Sequence, residues 1–482
     1  MRSRKSIRRG TRKGTDTQEP RRSVTWPKVS RVLHLLLVLA PLAYLIKLIA
    51  DFHDEVPVLD QWDFIPLLRK SYEGTVTLHD LWAQHNEHRI IFPRLLMLAL
   101  AHVSGWQVTW EMAASVVLAV LMFLAIVRQV RTTSRLTHKQ GLMWTIPMIS
   151  LAIFSANQEQ NWLWGWQVQM LMNMLVAVVG LLLLANPGLT FWRYSGALAL
   201  GIVALYSFAN GAVYWVIGAV VLLAVRGEAT RKTAYSRLAV WLVAGALAMY
   251  SYLYDFKPVA EHPKLSFVFE NPLAWLRYIL AYVGTPCLPS RAVLAPIAVW
   301  VGGAGLLLLI STTWLAVRSK QVTLQLLLPY LSLCGYAIGG AMITAIGRAG
   351  FGVAQAMASR YVTMANPIWI TNLVLLTVLV SSPFRGERND KQTAKMTGWR
   401  LVACLAIVAI ISLIAYSSID GRTLGRYRHE FLSPVVDELA LGDAYDNPEY
   451  HYAMLEAIHP KPDVVMERIS FLREFRLSLY RK

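Results

Sequence analysis

Apolar runs of spanning length recur at about 32–50, 107–127, 142–155, 167–185, 196–210, 211–225, 237–254, 292–317, 322–346, 361–382 and 399–417. This pattern predicts an all-α fold, a polytopic transmembrane helical bundle of about eleven spans. The first run, VLHLLLVLAPLAYLIKLIA, is long for a signal-peptide core and lacks a small-x-small cleavage site, so it reads as a first transmembrane helix. A polar stretch, 51–94, follows it directly. Within that stretch Asp60 to Tyr72 reads as an amphipathic helix, with Phe64, Leu67, Leu68 and Tyr72 at helical spacing and Gly74 as its stop. Leu78 to His102 reads as a second helix, polar at its start and apolar at its end, lying in the membrane interface.

Charge decides whether 90–104 crosses. If it stays at the interface, the basic segments 128–140, 226–237, 317–320 and 384–400 all fall on one side. The positive-inside rule selects that arrangement, with the N-terminus cytoplasmic and the C-terminus extracytoplasmic. The expected divisions are a basic cytoplasmic tail at 1–31 and a first transmembrane helix at 32–50. An extracytoplasmic acidic loop with juxtamembrane helices occupies 51–106, the transmembrane bundle 107–417, and a small extracytoplasmic helical tail 418–482.

Composition supports a polytopic integral membrane protein: 55% of the 482 residues are hydrophobic, 16% are charged, and mean hydropathy is +0.42. The net charge of +18 does not call for nucleic acid. Residues 1–31 carry 11 Lys and Arg against Asp16 and Glu19, a topogenic pattern whose natural contact is membrane lipid. The three cysteines have no metal-ligand or disulfide spacing.

Four clusters can carry chemistry, and all fall on the predicted outer face. Asp51, Asp54, Glu55, Asp60 and Asp63 lie just beyond the first span. Carboxylates there can take a proton from a hydroxyl or hold a divalent metal. The second cluster is HNEHRI. His85, His88 and Arg89 share a helical face if the segment is helical, and are candidate phosphate ligands, while two His with Glu87 are a weak metal pattern. The third, NQEQNWLWGWQ, sets Trp162 and Trp164 among Gln158, Asn161 and Gln167, which suits a sugar ring and its hydroxyls. The fourth, GRAGFGVAQAMASRY, places Arg348, Arg360 and Tyr361 on the side where the positive-inside rule disfavours arginine, as an anionic ligand would explain. No GxSxG, P-loop or HExxH motif is present.

The chain resembles the GT-C superfamily of membrane glycosyltransferases, with a first helix, the acidic loop DEVPVLDQWDF, juxtamembrane helices and many further spans. DQWDF, HNEHRI, QNWLWGWQ and GFGVAQAMASRY are similar to motifs of an uncharacterised bacterial branch. The resemblance implies a sugar donor on polyprenyl phosphate and a glycan, lipid or protein acceptor outside the cytoplasm. It also implies a carboxylate base in the first outer loop, mapping to Asp60 or to Asp54 and Glu55, with Asp63 as a neighbouring substitute. A divalent metal, Mg or Mn, stays open, since DE and DQWD stand where DxD or ExD is typical. A transporter or flippase of a lipid-linked glycan, and an envelope-assembly scaffold, are the alternative readings.

Overall fold

The structure, a computed structural model, describes residues 28–225, 230–260, 262–381, 390–441 and 448–481. Most of the basic tail and parts of the basic segments 226–237 and 384–400 lie outside the described residues. The described residues form helices joined by loops and turns, with a single isolated bridge between His85 and His88.

Helix α1 (Lys28–Phe52) leads into α2 (Asp60–Tyr72), α3 (Leu78–Trp82) and α4 (Ile91–Ser104). Next come α5 (Thr109–Thr137), α6 (Thr145–Ile153), α7 (Glu159–Leu163), α8 (Val168–Leu184), α9 (Phe191–Leu205), α10 (Gly211–Ala224) and α11 (Arg231–Leu253). The chain continues through α12 (Ser266–Glu270), α13 (Pro272–Gly284), α14 (Ala295–Arg318), α15 (Leu324–Arg348) and α16 (Val362–Val380). It closes with α17 (Asp390–Leu441), α18 (Pro448–Glu456) and α19 (Pro462–Glu474).

Eight helices are long and apolar enough to cross a bilayer: α1, α5, α8 with its preceding turn, α11, α14, α15, α16 and α17. Three other predicted spans form shorter apolar helices, α6, α9 and α10. Helix α16 is mostly apolar and buried on all sides from Val362 to Leu379, which makes it the centre of the bundle. Two amides lie within it, Asn366 donating to the Ala152 carbonyl and Asn372 to that of Gly305, while among the described residues the Oδ1 atoms of both have no hydrogen-bond partner.

The expected helix from Leu78 to His102 is divided in two. After α3 the chain makes a tight turn in which His85 and His88 exchange backbone hydrogen bonds of 2.8 Å. Asn86, at φ 48°, takes the left-handed conformation that asparagine tolerates. The turn sets Glu87 and His88 inward, where a continuous helix would place them by its own periodicity.

Helix α17 runs for 52 residues, so the last span continues past residue 418 to Leu441 without a break. Beyond it, α18 and α19 fold back over α2. Val56, Trp62, Phe64, Ile65 and Leu68 pack there with Leu432, Leu439, Ile458, Phe471 and Leu472 in a second hydrophobic core, separate from that of the bundle. Gly105, at φ 64°, ends α4 in a left-handed cap, and its carbonyl accepts the Ser478 amide at 2.9 Å.

Three of the five loop carboxylates anchor this assembly. Asp51 pairs with Lys47 and Arg422. Asp54 is buried against His429 Nδ1 at 2.7 Å. Glu55 caps the start of α5, accepting from the Val108 amide, the Thr109 amide at 3.3 Å and the Thr109 hydroxyl at 2.5 Å. Glu55→Ala is therefore expected to cost about 1–2 kcal/mol of stability, read as a lower thermal midpoint.

Candidate active site

The segments predicted to share one face meet at one end of the bundle, around a cavity of about 560 Å³. Asp60 and Asp63 reach it from α2, and His85, Glu87 and His88 from the tight turn. Trp164 and Gln167 come from the tryptophan segment, and Arg348, Arg360 and Tyr361 from the glycine-rich segment.

Asp60 sits at the first position of α2. Leu59 before it is held at φ 53°, a left-handed value that costs a β-carbon-bearing residue on the order of 1–3 kcal/mol. The Leu59 amide donates to the Ile458 carbonyl at 2.6 Å, so the C-terminal segment pins this strained corner. Asp60 Oδ1 lies 3.6 Å from His85 Nε2. Asp63, one turn later, accepts from Arg468 Nη1 at 2.8 Å and lies 3.8 Å from His459 Nε2.

On the far wall, Glu87 takes Arg348 Nη2 at 2.5 Å. Arg348 Nη1 donates to His262 Nε2 at 2.9 Å. A guanidinium can only donate, so the His262 proton lies on Nδ1, which faces Glu87 at 3.3 Å. Burial favours the neutral form of Glu87, but Arg348 and the surrounding imidazoles hold its carboxyl below the ordinary value.

His88 stacks on Phe208 with ring centroids 4.2 Å apart, and its Nδ1 accepts the Ala209 amide at 3.2 Å. Its proton is thereby fixed on Nε2. Burial pushes this imidazole down to about 4 from 6.5. Between those values the unfolded chain binds a proton that the folded protein does not, so stability falls as the pH drops through that window. The thermal midpoint is expected to be lower at pH 5 than at pH 7.5, by a loss of about 2 kcal/mol. His88→Asn should flatten that dependence, and an unchanged slope in the variant would count against this assignment.

Arg360 Nη1 donates to Gln160 at 3.0 Å, and the guanidinium lies over the Tyr361 ring, 5.2 Å from its centroid. The Tyr361 hydroxyl accepts from Gln355 at 3.0 Å. The Trp164 indole nitrogen donates to the Val58 carbonyl at 3.1 Å while its ring lines the cavity. Gly165 passes so close to the buried Glu111 that a β-carbon would overlap its carboxylate.

Six predicted residues do not line this cavity. Arg89 is buried, with Nε on the Tyr252 carbonyl at 2.7 Å and its other nitrogens on those of Trp82 and Tyr254. It fastens the turn to α11. Asp54 and Glu55 hold the loop, as described above. Gln158 donates to the Ile153 carbonyl at 2.6 Å, Asn161 to Thr363 at 2.7 Å, and the Trp162 indole to the Ser155 carbonyl at 2.9 Å. These last three shape the segment that presents Trp164 and Gln167.

Several cavity residues escape sequence reasoning. Gln169 and Asn210 are buried in its wall, and among the described residues Gln169 Oε1 and Asn210 Nδ2 have no hydrogen-bond partner. Their signal was an amide next to or inside an apolar run, which is costly unless used. His459 belongs to the C-terminal segment, and only the fold brings it to α2.

No grouping of three His, Cys, Asp or Glu residues suited to a metal occurs among the described residues. Asp63, the most obvious second ligand beside Asp60, is already engaged by Arg468.

A second, apolar cavity of about 860 Å³ lies between α10, α11 and α15. Trp215, Val220, Leu223, Met249 and Met342 line it, and it shares Ile343 and Ile346 with the polar cavity.

No family model and no curated protein matches the chain. Among solved structures it is similar to the crystal structure of ArnT from Cupriavidus metallidurans bound to undecaprenyl phosphate. That likeness covers 88% of this chain and 82% of that one, at 14% identity and a TM-score of 0.43.

Proposed function

We propose that the protein is a membrane glycosyltransferase that moves a sugar from a polyprenyl-phosphate donor to a hydroxyl of a glycan, lipid or protein acceptor, on the extracytoplasmic side. The observation that carries this reading is the junction of the two cavities at Ile343 and Ile346. An apolar groove among candidate spans runs into a chamber that holds arginines, carboxylates, amides and an indole face. A ligand with a long hydrocarbon tail, an anionic link and a sugar head matches that order of surfaces.

The polyprenyl chain lies in the groove beside α10, α11 and α15. Its phosphate meets Arg360 and Arg348, with the fixed Nε2–H of His88 and the imidazole of His85 as further donors. The sugar rests against Trp164, and Gln167, Gln169 and Asn210 read its hydroxyls. Asp60 takes the proton of the acceptor hydroxyl as that oxygen bonds to the anomeric carbon. The bond from the anomeric carbon to the phosphate oxygen breaks, and its electron pair leaves with the polyprenyl phosphate. Negative charge grows on that oxygen in the transition state, where arginine donors lower the barrier most. Asp60 is preferred over Asp63 because Arg468 holds Asp63 in an ion pair. No step is assigned to a metal, since no group of three His, Cys, Asp or Glu suited to one occurs around Asp60 among the described residues.

The decisive experiment uses the full chain in liposomes with a radiolabelled polyprenyl-phosphate sugar. Transfer predicts labelled acceptor together with free polyprenyl phosphate. Intact labelled donor moving across the bilayer, with no bond cleaved, would replace this reading with a transporter.

A further inference from the structure

Beside the main chamber lies a smaller pocket of about 180 Å³, between α2 and α3. Asp63, His85 and Trp166 line both spaces, so these three side chains form the partition between them. The outer wall is Phe64, Pro66 and Leu67 of α2. The rim carries Lys70 and Asp80, joined at 2.5 Å.

Every charged side chain around this pocket is already engaged, by an opposite charge or by backbone carbonyls. Lys70 and Asp80 neutralise one another. Arg94 donates to the carbonyls of Leu81 at 2.9 Å and Ala83 at 2.5 Å. Asp63 is paired with Arg468. A phosphate or a cation therefore gains little there, because it would first have to break one of these pairs. A neutral ligand with many hydroxyls gains more. The Lys70 ammonium donates to it, the Asp80 carboxylate accepts from it, and the Trp166 and Phe64 rings cover its apolar face.

The partition adjoins the candidate base. His85 stands edge-on to Trp166, with ring centroids 4.9 Å apart, and its Nε2 is 3.6 Å from Asp60. A hydroxyl reaching past His85 from the smaller pocket arrives where Asp60 faces the main chamber. The donor's hydrocarbon groove joins that chamber at Ile343 and Ile346, residues that do not line the smaller pocket.

We infer that the pocket between α2 and α3 is a subsite for a neutral sugar ring, the terminal ring of the acceptor. The acceptor role rests on the glycosyltransferase reading. Ring binding itself does not.

The test uses the full chain in nanodiscs and three probes: the methyl α-pyranosides of glucose, mannose and galactose, each at about 10 mM to suit weak single-ring affinity. Saturation-transfer NMR is expected to show at least one bound to the wild type. Leu67→Trp fills the pocket and should abolish that signal, while the affinity for undecaprenyl phosphate stays within about twofold. Lys70→Gln, at an exposed position that tolerates substitution, should weaken the glycoside by about tenfold, as expected on losing a charged donor. Absence of binding with all three glycosides, or a full signal in both variants, overturns the subsite. Glycoside binding that follows this pattern in a protein that transfers no sugar would retain the subsite and discard the glycosyltransferase reading.

Discussion

Asp60→Asn is expected to lower the rate of sugar transfer by about 10²–10⁴-fold, the range that a positioned general base contributes. Affinity for polyprenyl phosphate should stay within about twofold, because in the proposed mechanism the carboxylate serves the acceptor proton and not the bound donor. The substitution keeps the shape of the residue and leaves the Leu59 corner, with its bond to Ile458, in place. Asp63→Asn provides the contrast. It breaks the ion pair with Arg468, so it should lower the thermal midpoint and reduce transfer only modestly. Measuring both variants for single-turnover rate and midpoint assigns the roles. If Asp63→Asn is the slower enzyme and Asp60→Asn is near wild type, the base is Asp63.

Arg348→Ala has the second large effect, and it acts on stability and donor affinity together. The guanidinium bridges Glu87 and His262, so its removal leaves a carboxylate in a mostly buried setting without its main counter-charge. Breaking one side of a fully buried pair costs about 3–5 kcal/mol. Glu87 keeps some exposure to the cavity, which places the expected loss nearer 2–3 kcal/mol. Affinity for polyprenyl phosphate should fall by about 10–100-fold through the lost charged donor. The double variant Glu87→Gln with Arg348→Met separates the two effects. It removes the orphaned charge and should regain most of the stability, while donor affinity stays low. A double variant that regains both would show that Arg348 serves the fold alone.

The fold and the outline of the site were legible for one physical reason. Charge and amide groups near a bilayer are costly unless used, so the clusters at 51–94, 155–167 and 347–361 stood out against an apolar chain. Their convergence followed from charge parity. The individual roles were less legible. Asp54 and Asp60 look alike in sequence, yet one is covered by His429 from α17 and the other opens on a cavity. Arg89 and Arg348 look alike too, but the carbonyls of Trp82, Tyr252 and Tyr254 claim the first. The tight turn at Asn86 replaced the helical spacing that had grouped His85, His88 and Arg89 on one face. In each case the deciding partner is far away along the chain, where local pattern carries no information.

The folding-back of α18 and α19 onto α2 bears on the order in which the protein is made. Leu59, Asp60 and Asp63 leave the ribosome long before Ile458, His459 and Arg468, which fix and flank them. Until those residues arrive, the Leu59 corner has no bond to hold its strained backbone, and the second core lacks Ile458, Val465, Phe471, Leu472 and Leu477. A nascent chain therefore carries its bundle before it carries a finished site. A chain interrupted before α18 leaves the corner at Leu59 and Asp60 without its partner from the C-terminal segment.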